Sequence, residues 1–132
     1  MDEQGKELKK DETGNLISAD KVQGTAVRNP AGDSLGTIEN IMIDKPSGKV
    51  AYAVMAFGGI LGMGKDRRAL PWEVLKYDTS QGAYTVELDP QFLKDAPAFD
   101  DSGASFDWED TDWGQQVHDY YHVKPFWTEP RL

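Results

Sequence analysis

The chain has 132 residues, contains no cysteine and carries a formal net charge of −9 at pH 7. This length fits one domain with modest extensions, and the lack of cysteine excludes disulfides, thiolate metal sites and cysteine nucleophiles. The negative charge disfavours nucleic acid and anionic lipid headgroups as partners, because both are usually bound through Lys and Arg side chains.

The N-terminal residues 1–15 are polar and carry no apolar stripe that would dock them, so we predict a partly disordered tail. The first residues, Met1 to Lys6, lack the apolar run of a signal peptide. The apolar stretch from Ala51 to Met63 is too short and too rich in glycine to span a bilayer. We therefore expect a cytoplasmic protein that does not insert into a membrane.

Short β-prone runs separated by turn residues follow from Lys21 onward. Residues 29–32 and 45–48 each place Pro second and Gly fourth, as type I turns prefer, and the second of these turns predicts a hairpin. The apolar residues stop alternating near Glu39, which predicts a bulge. The segment 50–57 is apolar on both faces, which is typical of a central strand. The predicted strands span residues 22–28, 35–44, 50–57, 68–72, 74–78 and 83–88.

Asp89 and Pro90 favour the start of a short helix after the last strand, because Asp89 can cap the first turn and Pro90 suits the first helical position. This helix is expected to end before Pro97. Six short strands followed by one short helix predict a mainly-β fold in the form of a small six-stranded barrel. Its core is expected to contain Ile41, Ile43, Val50, Val54, Leu70 and Val86.

The C-terminal extension, residues 98–132, is both acidic and aromatic, and it holds three of the four tryptophans. Disordered acidic segments are usually poor in aromatic residues, so we predict that the extension docks on the barrel or on a neighbouring subunit. Tyr and Trp combine apolar area with a polar group, which suits interfaces. The expected interaction residues are Trp108, Trp113, Tyr120, Tyr121, Phe126 and Trp127.

An ordered series of short motifs runs through residues 16–97 and resembles the PRC-barrel domain. The motifs are Gly-Thr-Ala-Val at 24–27, Asn-Pro-Ala-Gly at 29–32, Leu-Gly-Thr-Ile-Glu at 35–39, Ile-Asp at 43–44, Gly-Lys-Val-Ala-Tyr-Ala-Val at 48–54, a glycine-rich run at 58–64 and Ala-Leu-Pro-Trp at 69–72. The resemblance implies a PRC-type six-stranded β-barrel over 16–97, between the tail and the extension.

The resemblance also implies protein docking instead of catalysis. Similar domains form the cytoplasmic part of the H subunit of the purple-bacterial photosynthetic reaction centre, and the C-terminal domain of a ribosome maturation factor that docks on a ribosomal protein. This chain lacks the membrane helix of the first and the N-terminal domain of the second, so the resemblance favours a stand-alone bacterial member. The aromatic extension looks like one that accompanies some stand-alone members.

We therefore predict a non-catalytic interaction and assembly module that needs no cofactor and binds itself and another protein. Because most soluble homo-oligomers use a two-fold axis, a dimer that exchanges extensions is the simplest assembly, anchored by Trp113, Tyr120, Tyr121 and Trp127. The alternative is a small-ligand- or metal-binding protein that uses the histidines and carboxylates of the C-terminal extension.

Three short patterns resemble binding signatures but lack parts of them. Residues 59–65 approach a P-loop, yet Asp66 stands where Ser or Thr is needed. His118 and His122 have the i, i+4 spacing of a zinc site, but the acidic residue after the first His is Asp instead of Glu, and no third ligand is evident. Residues 107–112 hold four carboxylates without the EF-hand spacing. The sequence therefore predicts no catalytic, metal-binding or cofactor-binding residue.

Overall fold

The computed structural model describes residues 12–57, 66–97 and 107–128, so most of the predicted N-terminal tail lies outside the described residues. The fold is mainly β, as predicted. In chain order the elements are α1 (Ala19–Val22), β1 (Ala26–Arg28), β2 (Ser34–Ile43), β3 (Val50–Phe57), β4 (Asp66–Pro71), a 3-10 helix (Trp72–Val74), β5 (Lys76–Asp78), β6 (Ala83–Thr85), α2 (Pro90–Lys94), α3 (Thr111–Tyr121) and a second 3-10 helix (Phe126–Thr128). Within these ranges no helix has the length and apolar content needed to cross a bilayer.

The six strands form one mixed sheet in the order β4-β3-β2-β1-β6-β5. Neighbouring strands are antiparallel except for β1 and β6, which are parallel. The sheet is not closed into a barrel, which corrects the prediction: in the described part of the chain no ladder joins β4 to β5. Pro71, which has no N–H to donate, ends β4, and the chain then forms the 3-10 helix. Because the following strand β5 has only three residues, little backbone remains for pairing between the edge strands β4 and β5.

The hairpin between β2 and β3 forms at the predicted turn. Gly48 donates its N–H to the Asp44 carbonyl at 2.7 Å and adopts a φ of 76°, a conformation that favours glycine. The Ser47 hydroxyl donates to the Asp44 carboxylate at 2.7 Å. The pairing of β2 with β3 shifts register between Ile38 and Asn40, so the predicted bulge is confirmed.

Both faces of the central strand β3 are buried, as predicted from its continuous apolar sequence. Every residue from Ala51 to Ala56 is buried. Val54, Leu70 and Val86 are also buried, which confirms three of the predicted core residues. The sheet therefore has one apolar face toward the core and a second apolar face that another segment must cover.

Ile43 is not a core residue, and that prediction is wrong. Its side chain is 54% exposed at the end of β2, and Ile41 and Val50 are only half-buried. The β2–β3 register shifts between Met42 and Ile43. A one-residue shift reverses the face to which a side chain points, so an apolar pattern alone cannot assign a residue beyond a bulge.

Several predicted strand boundaries also differ. Val22 lies in α1, where its N–H bonds to the Ser18 carbonyl, and β1 begins only at Ala26. The chain from Trp72 to Val74 is a 3-10 helix instead of strand, and β6 ends at Thr85.

Helix α2 packs beside the β4 edge. Asp89 caps it as predicted, because its carboxylate accepts the Gln91 N–H at 3.2 Å. Leu93 is buried in the core. Arg68 of β4 donates to the Lys94 carbonyl at 2.7 Å, which ties the end of α2 to the edge strand. Helix α3 also contacts β4, so both helices pack against this edge strand.

Candidate interaction surface

Tyr52 of β3 is the centre of an aromatic cluster built by the C-terminal extension. Its ring centroid lies 5.4 Å from Trp108, 5.6 Å from Trp113, 5.4 Å from His118 and 5.7 Å from Phe126, and we call these five residues the Tyr52 cluster. These separations are favourable for aromatic pairs. Tyr52 is 3% exposed, and burial raises the pKa of its hydroxyl to about 12. The extension thus contacts the sheet through this buried ring.

The alternation of side chains along β3 explains which face the extension covers. Tyr52 and Val54 point to the opposite face from Ala53. Ala53 pairs with Ile41 on one side and with Leu70 on the other, and this row faces the core. The C-terminal extension therefore covers the second apolar face of β3.

Helix α3, which packs against that face, begins at an N-cap residue and has one buried side. The Asp110 carboxylate accepts the N–H groups of Asp112 at 2.9 Å and Trp113 at 3.2 Å, an N-cap arrangement. The buried residues of the helix recur at spacings of three and four, which gives it one apolar face. They are Gly114, Val117, His118 and Tyr121.

Gly114 permits the close approach of α3 to the cluster. A Cβ atom at this position would lie 3.0 Å from Cη2 of Trp127 and 3.3 Å from the Tyr52 hydroxyl. Glycine is unfavourable inside a helix by about 1 kcal/mol relative to alanine. The lack of a side chain here is therefore explained by packing against Tyr52 and Trp127, not by helix propensity.

The two histidines of the extension do not share a site. His118 is 1% exposed, and its Nδ1 lies 2.8 Å from the Gly114 carbonyl, which can only accept a hydrogen bond, so Nδ1 carries a proton. Burial lowers the pKa of His118 below its ordinary value. His122 is exposed and ends α3 in the left-handed conformation, with a φ of 59°. Across the described ranges, no group of three or more His, Asp or Glu side chains could hold a metal ion.

Tyr120 and Tyr121 belong to a second aromatic group around Phe92 of α2. The Tyr120 ring stacks on Phe92 with centroids 4.4 Å apart, and its hydroxyl donates to the Phe92 carbonyl at 2.6 Å. Tyr121 meets Phe92 at 5.9 Å and is 8% exposed. These two predicted interaction residues therefore join α3 to α2 within the chain, whereas the other four lie near Tyr52.

A groove of about 520 Å³ opens beside the Tyr52 cluster, between the end of β2 and the start of α3. We call it the aromatic groove. Ile43, Trp108, Phe126 and Trp127 are among its apolar lining residues, and each of them is half-buried or exposed. Met42, Pro46, Ala51 and Tyr52 line it as well. Three of the predicted interaction residues thus meet at one surface with Ile43, which the sequence had placed in the core.

A smaller cavity of about 110 Å³ is lined by His118 and by four charged residues. The charged residues are Asp44, Lys49, Glu73 and Lys124. Two carboxylates and two ammonium groups around one space do not select a single class of ligand by charge.

The acidic segment at 107–112 has a structural role, and the P-loop-like run lies outside the described residues. The Asp107 carboxylate accepts the Glu109 N–H at 2.9 Å, and Asp110 caps α3, so these two carboxylates of the acidic segment shape its turn and its helix. Residues 59–65, the P-loop-like run, lie outside the described residues. The Arg67 side chain pairs with Glu39, with Nε 2.6 Å from Oε1.

The PRC-barrel domain profile matches residues 14–93, which is more than half of the chain. The chain belongs to the PRC-barrel family. This finding agrees with the resemblance carried by the ordered motifs, and it places β1 to β6 and most of α2 inside the family domain. Helix α3 and the aromatic residues on Tyr52 follow after that domain.

Comparison with curated proteins gives no match for this PRC-barrel protein. Among solved structures, it is similar to a protein described as a 16S ribosomal RNA processing protein, RimM, from Pseudomonas aeruginosa, with 20% sequence identity and a TM-score of 0.38. The similarity covers 61% of this chain and 48% of that chain, so this chain spans about half the length of that protein.

Sequence reasoning identified most of the aromatic residues at this surface but missed their centre. The apolar run at 50–57 predicts that both faces of this strand are buried, but nothing in its pattern says that the C-terminal extension covers the face that carries Tyr52. For His118, packing or hydrogen bonding in a docked extension was favoured over a role as a metal ligand. The spacing of Trp113, Val117, Tyr120 and Tyr121, after Asp110 as a cap, is the signal that would have predicted α3 and the burial of its neighbours.

Proposed function

We propose that this PRC-barrel protein is a non-catalytic interaction module that assembles with another protein through a surface on its C-terminal extension. Family membership supports docking as the general role. The observation that carries the proposal is the aromatic groove, where Trp108, Phe126 and Trp127 stay only half-buried around an exposed Ile43. Aromatic residues that are partly exposed around a concave surface are typical anchors for a protein partner.

The alternative of a metal-binding protein has less support. His118 uses Nδ1 within its own helix, and His122 lies beyond the helix end. A metal-linked fold would lose stability on treatment with a chelator. We expect the melting temperature to be unchanged by such treatment, as measured by thermal denaturation with and without a chelator.

Self-association is a separate prediction, in which Trp113, Tyr120, Tyr121 and Trp127 anchor a dimer that exchanges extensions. In the structure each of these rings contacts another aromatic ring of the same chain. Sedimentation of the full chain at micromolar concentration tests the point, and a monomer would rule out the proposed homodimer. The cytoplasmic location likewise stays a prediction.

In-cell photo-crosslinking tests the proposed function. A photo-crosslinking amino acid is introduced in turn at Ile43, at Leu16 and at Gln116, which are exposed at three separate places. We expect a reproducible adduct with one specific protein from at least one position. If none of the positions gives a specific adduct in cells that make the protein, the interaction role is wrong.

A further inference from the structure

We propose that the aromatic groove binds an extended segment of a partner protein in which an apolar side chain is flanked by Lys or Arg. This inference rests on the proposed function and adds the place of contact and the chemistry of the partner.

The apolar lining is incomplete without a partner. In the part of the chain that the structure describes, the exposed large apolar residues are Ile43, at 54%, and Leu16, at 72%. Leu16 lies in a turn away from the groove, and a single exposed apolar residue of this kind is ordinary. Ile43 instead stands at the rim, beside Trp108 and Trp127, so its side chain continues an apolar surface.

The rim carries mainly negative charge. Among the described residues, Asp44, Glu109 and Asp110 line the groove together with a single cation, Lys45. Asp110 uses its carboxylate to cap α3 but keeps its charge and further acceptor capacity. The whole chain adds a net charge of −9, which would repel an acidic segment and attract a basic one.

The shape favours a polypeptide over a small molecule. The groove runs from the β2–β3 turn at Pro46 to the 3-10 helix at Trp127, with Gly114 of α3 among its lining residues. A small ligand at the floor would leave Ile43 exposed. A segment of backbone that lies across the rim would cover Ile43 and place its own flanking cations beside the carboxylates.

Selection from a displayed library of random short peptides on the full-length protein tests the inference. We expect enriched peptides to carry an apolar or aromatic residue flanked by Lys or Arg. One enriched peptide is then synthesised with a fluorescent label, and its affinity is measured by anisotropy at low and at physiological salt. Affinity should fall as salt rises, because the rim contacts are electrostatic.

Two matched variants locate the contact. Ile43→Lys and Leu16→Lys make the same type of change, from an exposed aliphatic side chain to a cation, at the groove and away from it. Ile43→Lys should weaken binding about tenfold or more. Leu16→Lys should change it less than about threefold, since only screened long-range charge is altered. Circular dichroism of both variants checks that the fold is retained.

Several outcomes would overturn the inference. These are enrichment of acidic or uncharged peptides, failure to enrich any peptide, or equal effects of the two variants. A small molecule that displaces the peptide and binds with unchanged affinity to Ile43→Lys would favour a ligand pocket instead. Specific crosslinks at Leu16 or Gln116 but not at Ile43 would leave the interaction role standing and reject this groove as its site.

Discussion

Adjacent tyrosines in α3 are in opposite hydrogen-bonding situations. The Tyr120 hydroxyl donates to the Phe92 carbonyl at 2.6 Å, whereas the Tyr121 hydroxyl is buried and has no hydrogen-bond partner among the described residues. A buried polar group without a partner costs about 1–3 kcal/mol, while a satisfied hydrogen bond contributes about 1 kcal/mol. Burial accordingly raises the pKa of the Tyr121 hydroxyl.

Replacing each of these tyrosines by phenylalanine should therefore change stability in opposite directions. We expect Tyr120→Phe to lower the free energy of unfolding by about 1 kcal/mol, and Tyr121→Phe to leave it unchanged or raise it by up to about 1 kcal/mol. Urea denaturation of both variants measures the difference, and each serves as the control for the other. Equal destabilisation by the two changes would show that the Tyr121 hydroxyl is satisfied in solution.

His118 makes the packing of α3 sensitive to pH. Burial among Tyr52, Phe126 and Trp127 lowers the pKa of His118 below its ordinary value of 6.5, and this effect outweighs the hydrogen bond to Gly114 and the carboxylates of Glu73 and Asp119, which act in the opposite direction. The unfolded chain then binds the proton more readily than the folded chain. The contribution of neutral, buried His118 to the free energy of unfolding is complete above pH 6.5. This contribution is lost as the pH falls through the pKa of His118 in the folded chain.

The free energy of unfolding should therefore decrease between pH 7.5 and pH 5.5, roughly the range in which an unfolded histidine takes up its proton. His118→Gln should remove this part of the pH dependence, at the cost of some stability at neutral pH. His122→Gln changes an exposed histidine and is the control that should preserve it. An identical pH profile for His118→Gln and the unchanged protein would mean that His118 does not control docking of the helix.

Among the secondary-structure elements, α3 ends in a specific capping motif. The Val123 N–H bonds to the His118 carbonyl at 2.9 Å and the His122 N–H to the Asp119 carbonyl at 3.2 Å, the two bonds of a Schellman motif. The residue in the left-handed position is His122, with a φ of 59°, where glycine is usual. A non-glycine residue in this conformation costs about 1 kcal/mol.

His122→Gly should consequently stabilise the protein by about 1 kcal/mol, since it removes the backbone strain at the cap and touches no buried contact. The matched control is Gln116→Gly, which makes a glycine at an exposed position inside the same helix and should destabilise by about 1 kcal/mol. Thermal or urea denaturation measures both. Destabilisation by His122→Gly would mean that the imidazole contributes more than its backbone conformation costs.

The elements that the sequence predicted well are those specified by residues that are close together in the chain. The turn at 45–48 and the continuous apolar run of β3 are encoded by residues next to each other, and so is the cap of α2 at Asp89. Helix α3 was missed because its apolar face is aromatic and includes Gly114, which lowers helix propensity. The exposure of Ile43 follows from a register shift that the pattern could not locate.

At the scale of the whole molecule, the sequence predicted six strands but not whether the two edge strands pair or what packs against them. Closure depends on whether β4 and β5 pair, and that depends on backbone geometry after Pro71 instead of on any pattern of side chains. In the structure, α2 and α3 pack against the edge strand β4. The C-terminal extension is therefore part of how this PRC-barrel protein stabilises its sheet, in addition to the groove that it forms.

Removal of all residues after Pro97 tests this architecture. The truncated chain should still fold, because most of the core cluster, including Val27, Ile38, Leu70, Val86 and Leu93, lies before Pro97, although Val117 and Tyr121 are lost. It should be less stable, because Tyr52 and Phe92 lose the rings that cover them, and exposing each large apolar side chain costs about 2 kcal/mol. It should also aggregate more readily, since the apolar face of β3 that carries Tyr52 becomes open. Urea denaturation and sedimentation measure both effects, and Tyr52→Ala in the full chain should reproduce part of the loss. A truncated chain that matches the full chain in stability and solubility would show that the extension contributes nothing to the fold and is available in full for a partner.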